Sequence, residues 1–565
     1  MAVDSAVQWL GDALPLLGAL FLAGLAIVTY FRSRKAIVFE AWVNMTGTDE
    51  SNVGRRVADL LLFKLRFVKR IHEQSGRKLE TWQPSRDMPA FRQTLDEDIR
   101  LMGSVELGKY GSVVSTIVMF VLRLVPMMFR PARLRGSIHV YGKEFRLLAT
   151  LEQAGGGKNQ GGIVQLWEVI RTQEDGQLLA ETVEELAYRI YLDLASEDLF
   201  KSWEAFRAYT VGMSHYVAWI DLEREADWLE AEKHYRAALV LEPRNPTIKY
   251  NLALLKYFRL EAPDNEEAIL LFQSSLNAPS RQLSARAHSG LASALASKFA
   301  RFNVAEPRLL QEGMMHGRTA ITLAPEIDGA HKAYAYACHQ WSEYLVRTGT
   351  GSEREIARHR ELAVEHYREA FRMNPQHYIA HNNLGNLFLE WAKAIGGQSH
   401  QHERTEKFRL ARTEFESALG INPSYHLPYD NLGNTFYEEG KRSAKAEERK
   451  ALFGEAAKAF RNALQYEPNY PEGTNDLAML HLEPDNDPCS PEEAFSLHLQ
   501  SLRFATKSAT QRQKLCKHFK ARLESSGAQS KIGFEPPALI VKELAPLGCS
   551  CASSIPVAAS VLSPA

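Results

Sequence analysis

A proline recurs in this sequence within one fixed pattern of small and large apolar residues. Alanine stands twelve and five residues before it, an aromatic residue eight before, and leucine nine after, at Pro243, Pro375, Pro423 and Pro468. Pro325 follows the pattern more loosely, and Pro279 follows it if one residue is deleted. Because proline cannot continue a helix, prolines in register predict a series of similar helical units that each end at the same point.

This pattern resembles the tetratricopeptide repeat, in which each unit is a pair of antiparallel helices and stability comes from stacking neighbours. The resemblance covers residues 202–507 and implies close helix crossings at Gly385 with Ala363 and at Gly433 with Ala411. Large side chains such as Phe460 are expected to fill the space between repeats. The prolines are 36 to 50 residues apart, whereas the usual repeat has about 34. The surplus predicts lengthened helices that project from one edge and are joined by mobile, charged loops.

The predicted fold class is therefore mainly α: a tetratricopeptide-type helical repeat solenoid, preceded by a transmembrane helix and a small α+β domain. A chain of 565 residues is long enough for several domains. The expected division is an anchor, a membrane-proximal α+β domain, the repeat array, a capping helix and a disordered tail, at residues 1–34, 35–195, 202–507, 508–526 and 527–565.

The anchor is predicted from residues 13–31, which carry no charge and approach the roughly 20 apolar residues that a membrane-spanning helix needs. No Lys or Arg precedes this segment and RSRK follows it, so we expect a single-pass protein with its N-terminus outside and its body in the cytoplasm. Residues 112–129 are almost as apolar but contain Arg123 and Pro126. They are expected to form a buried or interfacial helix, with a second span as the alternative.

Residues 32–150 are basic, with 21 Lys and Arg against 12 Asp and Glu. We expect contact with the membrane surface from four arginines in or beside the second apolar segment: Arg123, Arg130, Arg133 and Arg135.

Residues 35–195 are expected to contain a strand at 35–44, two helices, an antiparallel meander of three strands and a closing helix. The stretches FEAWVNMTGTDESNVGRRVADLL and RGSIHVYGKEFRLLATLE resemble the TolB-like amino-terminal fold shared with FlgO and CsgG-type proteins. That resemblance implies assembly or binding at membranes, without catalysis.

Candidate binding residues follow from the same proline register. Five amide side chains and one carboxylate stand eight or eleven residues after the prolines, and we expect them to line a groove that binds proteins or extended peptides: Asn251, Asn383, Asn386, Asn431, Asn434 and Asp476. An amide both donates and accepts, so it can hold a peptide backbone, as in the repeats of O-linked glycosyltransferases that NLGN resembles. The alternative is that these side chains only satisfy neighbouring backbone.

No enzyme motif is present, and no cofactor, metal or nucleic acid is expected. The pairs His400 with His402 and Cys549 with Cys551 lack further ligands for a metal. The sequence thus predicts a membrane-anchored scaffold that recruits partners through the groove. Two alternatives stay open: an accessory that presents substrate to a separate enzyme, and a small-molecule sensor that uses the α+β domain.

Overall fold

The computed structural model of the protein describes residues 36–40, 42–46, 52–78, 90–92, 132–141, 144–153, 162–172, 178–195, 200–222, 224–259, 262–300, 306–397, 399–483, 486, 490–505 and 509–525. They belong to two compact units: unit 1, Met1–Ala278, and unit 2, Pro279–Ala565. Residues 13–31 and 112–129, including Arg123, lie outside the described residues, and so does Arg130. Within the described part of the chain, no helix is both long and apolar enough to cross a membrane.

Unit 1 opens with a mixed sheet of six strands: β1 (Ala36–Phe39), β2 (Val43–Asn44), β3 (Ala90–Arg92), β4 (Ala132–Tyr141), β5 (Glu144–Gln153) and β6 (Gly162–Thr172). The three long strands β4, β5 and β6 pair antiparallel in sequence order, which confirms the predicted meander. The strand expected at 35–44 is divided into β1 and β2. The sequence did not indicate β3, nor the parallel pairing of β1 with β3 and β4 and of β2 with β4.

Two helices, α1 (Val53–Lys78) and α2 (Leu178–Leu194), pack on one face of this sheet. Side chains alternate between the two faces of a strand, and β6 shows the consequence. Trp167 and Val169 are buried beneath the helices, whereas Val164, Leu166 and Ile170 are exposed. The sheet therefore has one covered face and one open face.

Unit 1 continues with two helix pairs, α3 (Trp203–Leu222) with α4 (Glu225–Leu241) and α5 (Pro246–Phe258) with α6 (Ala262–Gln273). The described residues of unit 2 form five pairs and a final helix. They are α7 (Arg281–Ala300) with α8 (Pro307–Leu323), α9 (Asp328–Thr348) with α10 (Glu353–Met373), α11 (Tyr378–Ala394) with α12 (Gln401–Ile421), α13 (His426–Gly440) with α14 (Ala446–Tyr466), α15 (Pro471–Leu480) with α16 (Pro491–Phe504), and α17 (Ala509–Ser525).

The prolines mark the ends of the second helices. Helices α4, α8, α10, α12 and α14 each end two residues before their proline, because proline disfavours helical backbone at the residue that precedes it. Helix α6 instead ends well before Pro279 and is followed by a turn at residues 274–277, in agreement with the deletion that Pro279 requires. Both units are thus built from tetratricopeptide-type helix pairs.

The extra residues that make the proline spacing longer than the usual repeat lie largely within the helices. Helices α9, α10, α12 and α14 are each 21 residues long, and the connections within these pairs are short. Helix α17 buries Leu515 and Phe519 against α15 and α16, so the apolar surface of the last pair is covered.

The glycines of the repeat make room for an aromatic ring of their own helix pair. A Cβ atom at Gly385 would lie 2.5 Å from the Phe415 ring, and one at Gly433 would lie 2.5 Å from the Phe460 ring. The expected crossing of Gly385 with Ala363, and of Gly433 with Ala411, was therefore wrong in the partner it assigned. The fully buried aromatic ring packs within the pair, over the bare glycine backbone, and this close approach explains why glycine is required.

Candidate functional site

The first helices of successive pairs in unit 2 lie beside one another, with contacts between α9 and α11, α11 and α13, and α13 and α15. Half-exposed polar side chains stand at equivalent repeat positions on these helices, and we call the surface that they define the first-helix face. It contains the predicted residues Asn383, Asn386, Asn431, Asn434 and Asp476.

Two hydrogen bonds cross the first-helix face from one helix to the next. The Asn431 amide on α13 donates to Asn382 Oδ1 on α11 over 2.9 Å, and the Asn434 amide donates to Asp476 Oδ2 on α15 over 2.9 Å. Asn431 and Asn434 therefore use part of their hydrogen-bonding capacity inside the protein. The Asn434 amide also donates to Asp430 Oδ2 over 3.4 Å. Both side chains are only half-buried and so remain partly accessible.

Asn383 and Asn386 differ from the residues on α13. Both side chains are half-buried, and neither forms a hydrogen bond with any residue in the described part of the chain. Each amide can donate twice and accept. These two residues consequently offer the most complete hydrogen-bonding capacity on the first-helix face.

Asn251 occupies the corresponding position in unit 1, eight residues after Pro243, but it is 0% exposed. Its amide donates to the Tyr209 hydroxyl and to the Thr247 carbonyl, each over 2.9 Å. In this structure Asn251 has no surface with which to contact a peptide. The bond to the Thr247 carbonyl agrees with the alternative, in which such a side chain only satisfies neighbouring backbone.

The sequence did not indicate a row of charged residues beside the amides. Glu343 on α9, Glu390 and Lys393 on α11 and Glu438 on α13 act electrostatically on one another. Lys393 Nζ lies 2.7 Å from Glu390 Oε1, and Arg360 of α10 lies 3.5 Å from Glu343. Glu343, Glu390 and Glu438 are partly buried and Arg360 is buried, whereas Lys393 is exposed. The interactions of the four less exposed side chains are screened less than on an open surface.

The proximity of these charges shifts the pKa values of Glu343 and Lys393. Burial and repulsion from Glu390 raise the pKa of Glu343 to about 7, against the opposing effect of Arg360. Burial opposes the charged form of Lys393, but the attraction of Glu390, Glu438 and Glu343 outweighs burial and raises its pKa.

At the C-terminal end of the first-helix face lie Asp430 on α13 and Glu472 and Asp476 on α15, which we call the acidic trio. Burial raises the pKa of Asp430, and repulsion from Asp476 and Glu472 adds to the rise. Burial also raises the pKa of Asp476 to about 6, although the hydrogen bond from Asn434 opposes the rise. Only Asp476 was predicted. Asp430 and Glu472 stand seven and four residues after their prolines, so the same register could have placed them.

A groove of about 610 Å³ lies elsewhere in unit 2, between the second helices α10 and α12 and the first helix α11. It is lined by Glu361, Val364, Glu365, Arg368, Glu369, Arg372, Phe388, Trp391, Lys407 and Leu410. The ammonium of Lys407 sits 3.6 Å from the centre of the Trp391 ring, which is a cation–π contact. This groove differs in composition from the first-helix face, because three basic and three acidic side chains line it together with the aromatic rings of Phe388 and Trp391.

Two of the four arginines predicted to contact the membrane are in the described part of unit 1. Arg133 and Arg135 lie on the open face of the sheet, and both pair with Glu40, at 2.8 and 2.5 Å. Arg135 also lies 3.0 Å from Glu152. Their charges are compensated within the sheet, so less positive charge is available to a membrane than the sequence suggested. The contact itself stays a prediction.

In the described ranges no three His, Cys, Asp or Glu side chains converge as metal ligands would.

No protein-family model matches this chain, and no curated protein matches it significantly. Among solved structures, TTC0263, a thermophilic TPR protein of Thermus thermophilus, is 17% identical with a TM-score of 0.32, over 42% of this chain and 99% of its own. A monomeric IFIT1 mutant with m7Gppp-AAAA is 15% identical with a TM-score of 0.44, over 67% and 76%. YrrB, a TPR protein with an unusual peptide-binding site, is 13% identical with a TM-score of 0.23, over 42% and 95%. The helix pairing described above, and not these likenesses, identifies the fold.

Proposed function

We propose that this chain is a non-catalytic scaffold that binds an extended segment of a partner protein on the first-helix face of unit 2. The observation that carries the proposal is the pair Asn383 and Asn386, which are accessible and have no hydrogen-bond partner among the described residues. An extended peptide presents unpaired N–H and C=O groups along its backbone, and each of these amides can bond to both kinds of group.

Further amides extend this row across the face. Asn431 and Asn434 continue the row of amides onto α13, held in place by their bonds to Asn382 and Asp476. Fixed side chains lose less conformational entropy when they bind. The charged row of Glu343, Lys393 and their neighbours would then influence which segment is accepted, because mismatched charges at an interface are costly.

The test is selection of peptides from a random display library by the purified protein, followed by affinity measurements with the selected peptides. Each hydrogen bond to a partner contributes about 0.5–1.5 kcal/mol, and about 1.4 kcal/mol is one factor of ten in affinity. The double variant Asn383→Ala/Asn386→Ala should therefore weaken binding by roughly tenfold while its unfolding midpoint stays near that of the wild type. Selected peptides that bind the double variant with unchanged affinity would place the binding surface elsewhere.

We further propose that the scaffold is anchored in a membrane by residues 13–31, with its body on the cytoplasmic side. The uncharged segment and the RSRK that follows it support this proposal. Full-length protein should remain with membranes after high-salt and carbonate washes, and removal of residues 1–31 should release most of it. Recovery of the full-length protein in the wash would reject the anchor.

A further inference from the structure

The acidic trio is the part of the first-helix face where carboxylates lack cationic partners among the described residues. Glu343 pairs with Arg360, Glu390 with Lys393, and Glu438 with Arg442. Asp430, Glu472 and Asp476, in contrast, form no ion pair with any described residue. Lys393 and Lys514 act on Asp476 only from a distance, and they leave its pKa raised.

A second observation concerns Asp430 itself. It is 5% exposed, and its Oδ2 atom accepts hydrogen bonds from the Tyr470 hydroxyl at 3.3 Å and the Asn434 amide at 3.4 Å. Its Oδ1 atom has no hydrogen-bond partner among the described residues. A buried acceptor left without a donor costs free energy, so a bound donor that came within reach of this atom would recover that cost.

The unpaired oxygen is directed toward the helix that carries the other two carboxylates. A Cβ atom at Gly473 would lie 3.3 Å from Asp430 Oδ1, and Gly473 stands between Glu472 and Asp476 on α15. Asn434 bridges the two aspartates, since its amide reaches Oδ2 of both. Glu472 lies near enough to repel both aspartates. The three carboxylates thus lie together, and the site opens to solvent through the half-exposed Glu472 and Asp476.

We propose that the acidic trio binds a lysine or arginine side chain of the partner segment on the first-helix face. This assignment rests on the proposed function, because it names a residue type within the segment bound there. An ammonium or guanidinium group supplies several N–H donors and a positive charge, which would satisfy Asp430 Oδ1 and relieve the repulsion among the carboxylates.

Two features favour an organic cation over a metal ion. The trio does not converge at metal-ligand geometry, since no such group of three occurs in the described residues. Aromatic rings also flank it: His426 and Tyr470 lie edge to face, with ring centres 4.8 Å apart. The aliphatic stem and the charged head of a lysine or arginine side chain both pack well beside aromatic rings.

The experiment uses the random peptide display library with the full-length protein. We expect the selected peptides to share a lysine or arginine at one fixed position. For the tightest of them, replacement of that residue by alanine should weaken binding by about tenfold or more. The variant Glu472→Gln/Asp476→Asn should lose the preference for the basic peptide and bind the alanine peptide as the wild type does. Glu416→Gln/Glu447→Gln removes two exposed carboxylates of the second helices α12 and α14 and should change neither affinity.

The outcomes separate the two proposals. If peptides bind in a manner that depends on Asn383 and Asn386 but show no basic preference, the peptide-binding face stands and the cation site is refuted. If no selected peptide depends on Asn383 and Asn386, both proposals fail. Both carboxylate-to-amide variants conserve side-chain shape, and an unchanged unfolding midpoint shows that the acidic trio variant is folded.

Discussion

Asn251 in unit 1 and Asn431 in unit 2 occupy the same repeat position, eight residues after a proline, yet their surroundings are opposite. Asn251 is fully buried and bonds to Tyr209 of the preceding first helix. Asn431 is half-exposed and bonds to Asn382 of the preceding first helix. In unit 1 the neighbour is a large aromatic residue that seals the amide from solvent. In unit 2 the neighbour is a small amide that leaves it accessible.

The comparison shows that repeat register determines the position of a side chain on its helix but not its exposure. Tyr209 is itself fully buried, with its ring centre 5.0 Å from that of Phe200 and 5.8 Å from that of Tyr235. This aromatic cluster makes the first helix pair of unit 1 a closed core. The amide of Asn382, in place of such a ring, keeps the corresponding surface of unit 2 open to a ligand.

The largest loss of stability is expected from a change in the core beneath the first-helix face of unit 2. Phe460→Ala removes a buried ring that packs on Gly433, and such a truncation costs about 3–5 kcal/mol of unfolding free energy. Urea denaturation should show a marked fall in the midpoint for unit 2. A loss below about 1 kcal/mol would mean that the ring does not support the helix pair.

A smaller loss of unfolding free energy is expected when the buried amide of Asn251 is removed. Asn251→Ala leaves the buried Tyr209 hydroxyl without its donor, which costs about 1–3 kcal/mol. Since Asn251 Oδ1 has no partner in the described part of the structure, its removal offsets part of the loss, and we expect the lower part of that range. Tyr209→Phe is the matched control and should cost less, because the Asn251 amide keeps its bond to Thr247. If Asn251→Ala is as stable as the wild type, Asn251 has no structural role.

Lowering the pH should destabilise unit 2 more than unit 1, because the two units differ in their buried histidines. Burial lowers the pKa of His72 in unit 1 and of His339 and His498 in unit 2, each to about 3. The unfolded chain takes up these protons first as the pH falls, so the stabilisation is complete above about pH 6.5 and is lost as the pH falls toward 3. The loss approaches about 1.4 kcal/mol per pH unit for each histidine.

Hydrogen exchange at a series of pH values should therefore show unit 2 losing protection more steeply than unit 1. The variant His339→Leu should flatten that dependence in unit 2, because neither ring nitrogen of His339 forms a hydrogen bond with a described residue and leucine does not titrate. An unchanged slope in this variant would show that His339 is not kept neutral by the fold.

The smallest loss of stability is expected when the half-exposed amide of Asn431 is removed. Asn431→Ala removes one hydrogen bond on a half-exposed surface, and such changes cost at most about 1 kcal/mol. Its unfolding midpoint should be close to that of the wild type and clearly above that of Asn251→Ala. If Asn431→Ala and Asn251→Ala lose the same stability, the two amides contribute equally to the fold despite their different exposure. The first-helix face would then serve the fold and not binding.

Local sequence determined the repeat itself. The prolines specify where the second helices end, because the restriction that proline places on the preceding residue acts between neighbours in the chain. Alanine at Ala411 and Ala456 and aromatic rings at Phe415 and Phe460 are buried as the helical spacing predicts. The antiparallel meander likewise follows from alternation within short strands.

Tertiary structure alone decided which of the polar residues are exposed to solvent. Asn251, Asn383 and Asn431 share one position in the pattern, but their exposure depends on side chains that are distant in sequence, such as Tyr209 and Asn382. The parallel pairing of β1 with β3 and β4 is decided in the same way, by contacts between segments far apart in the chain. The acidic trio is the clearest case. The sequence places three carboxylates at helix positions, and only the fold brings them together without a cation among the described residues, because ion pairing depends on distances that the periodicity of one helix does not set.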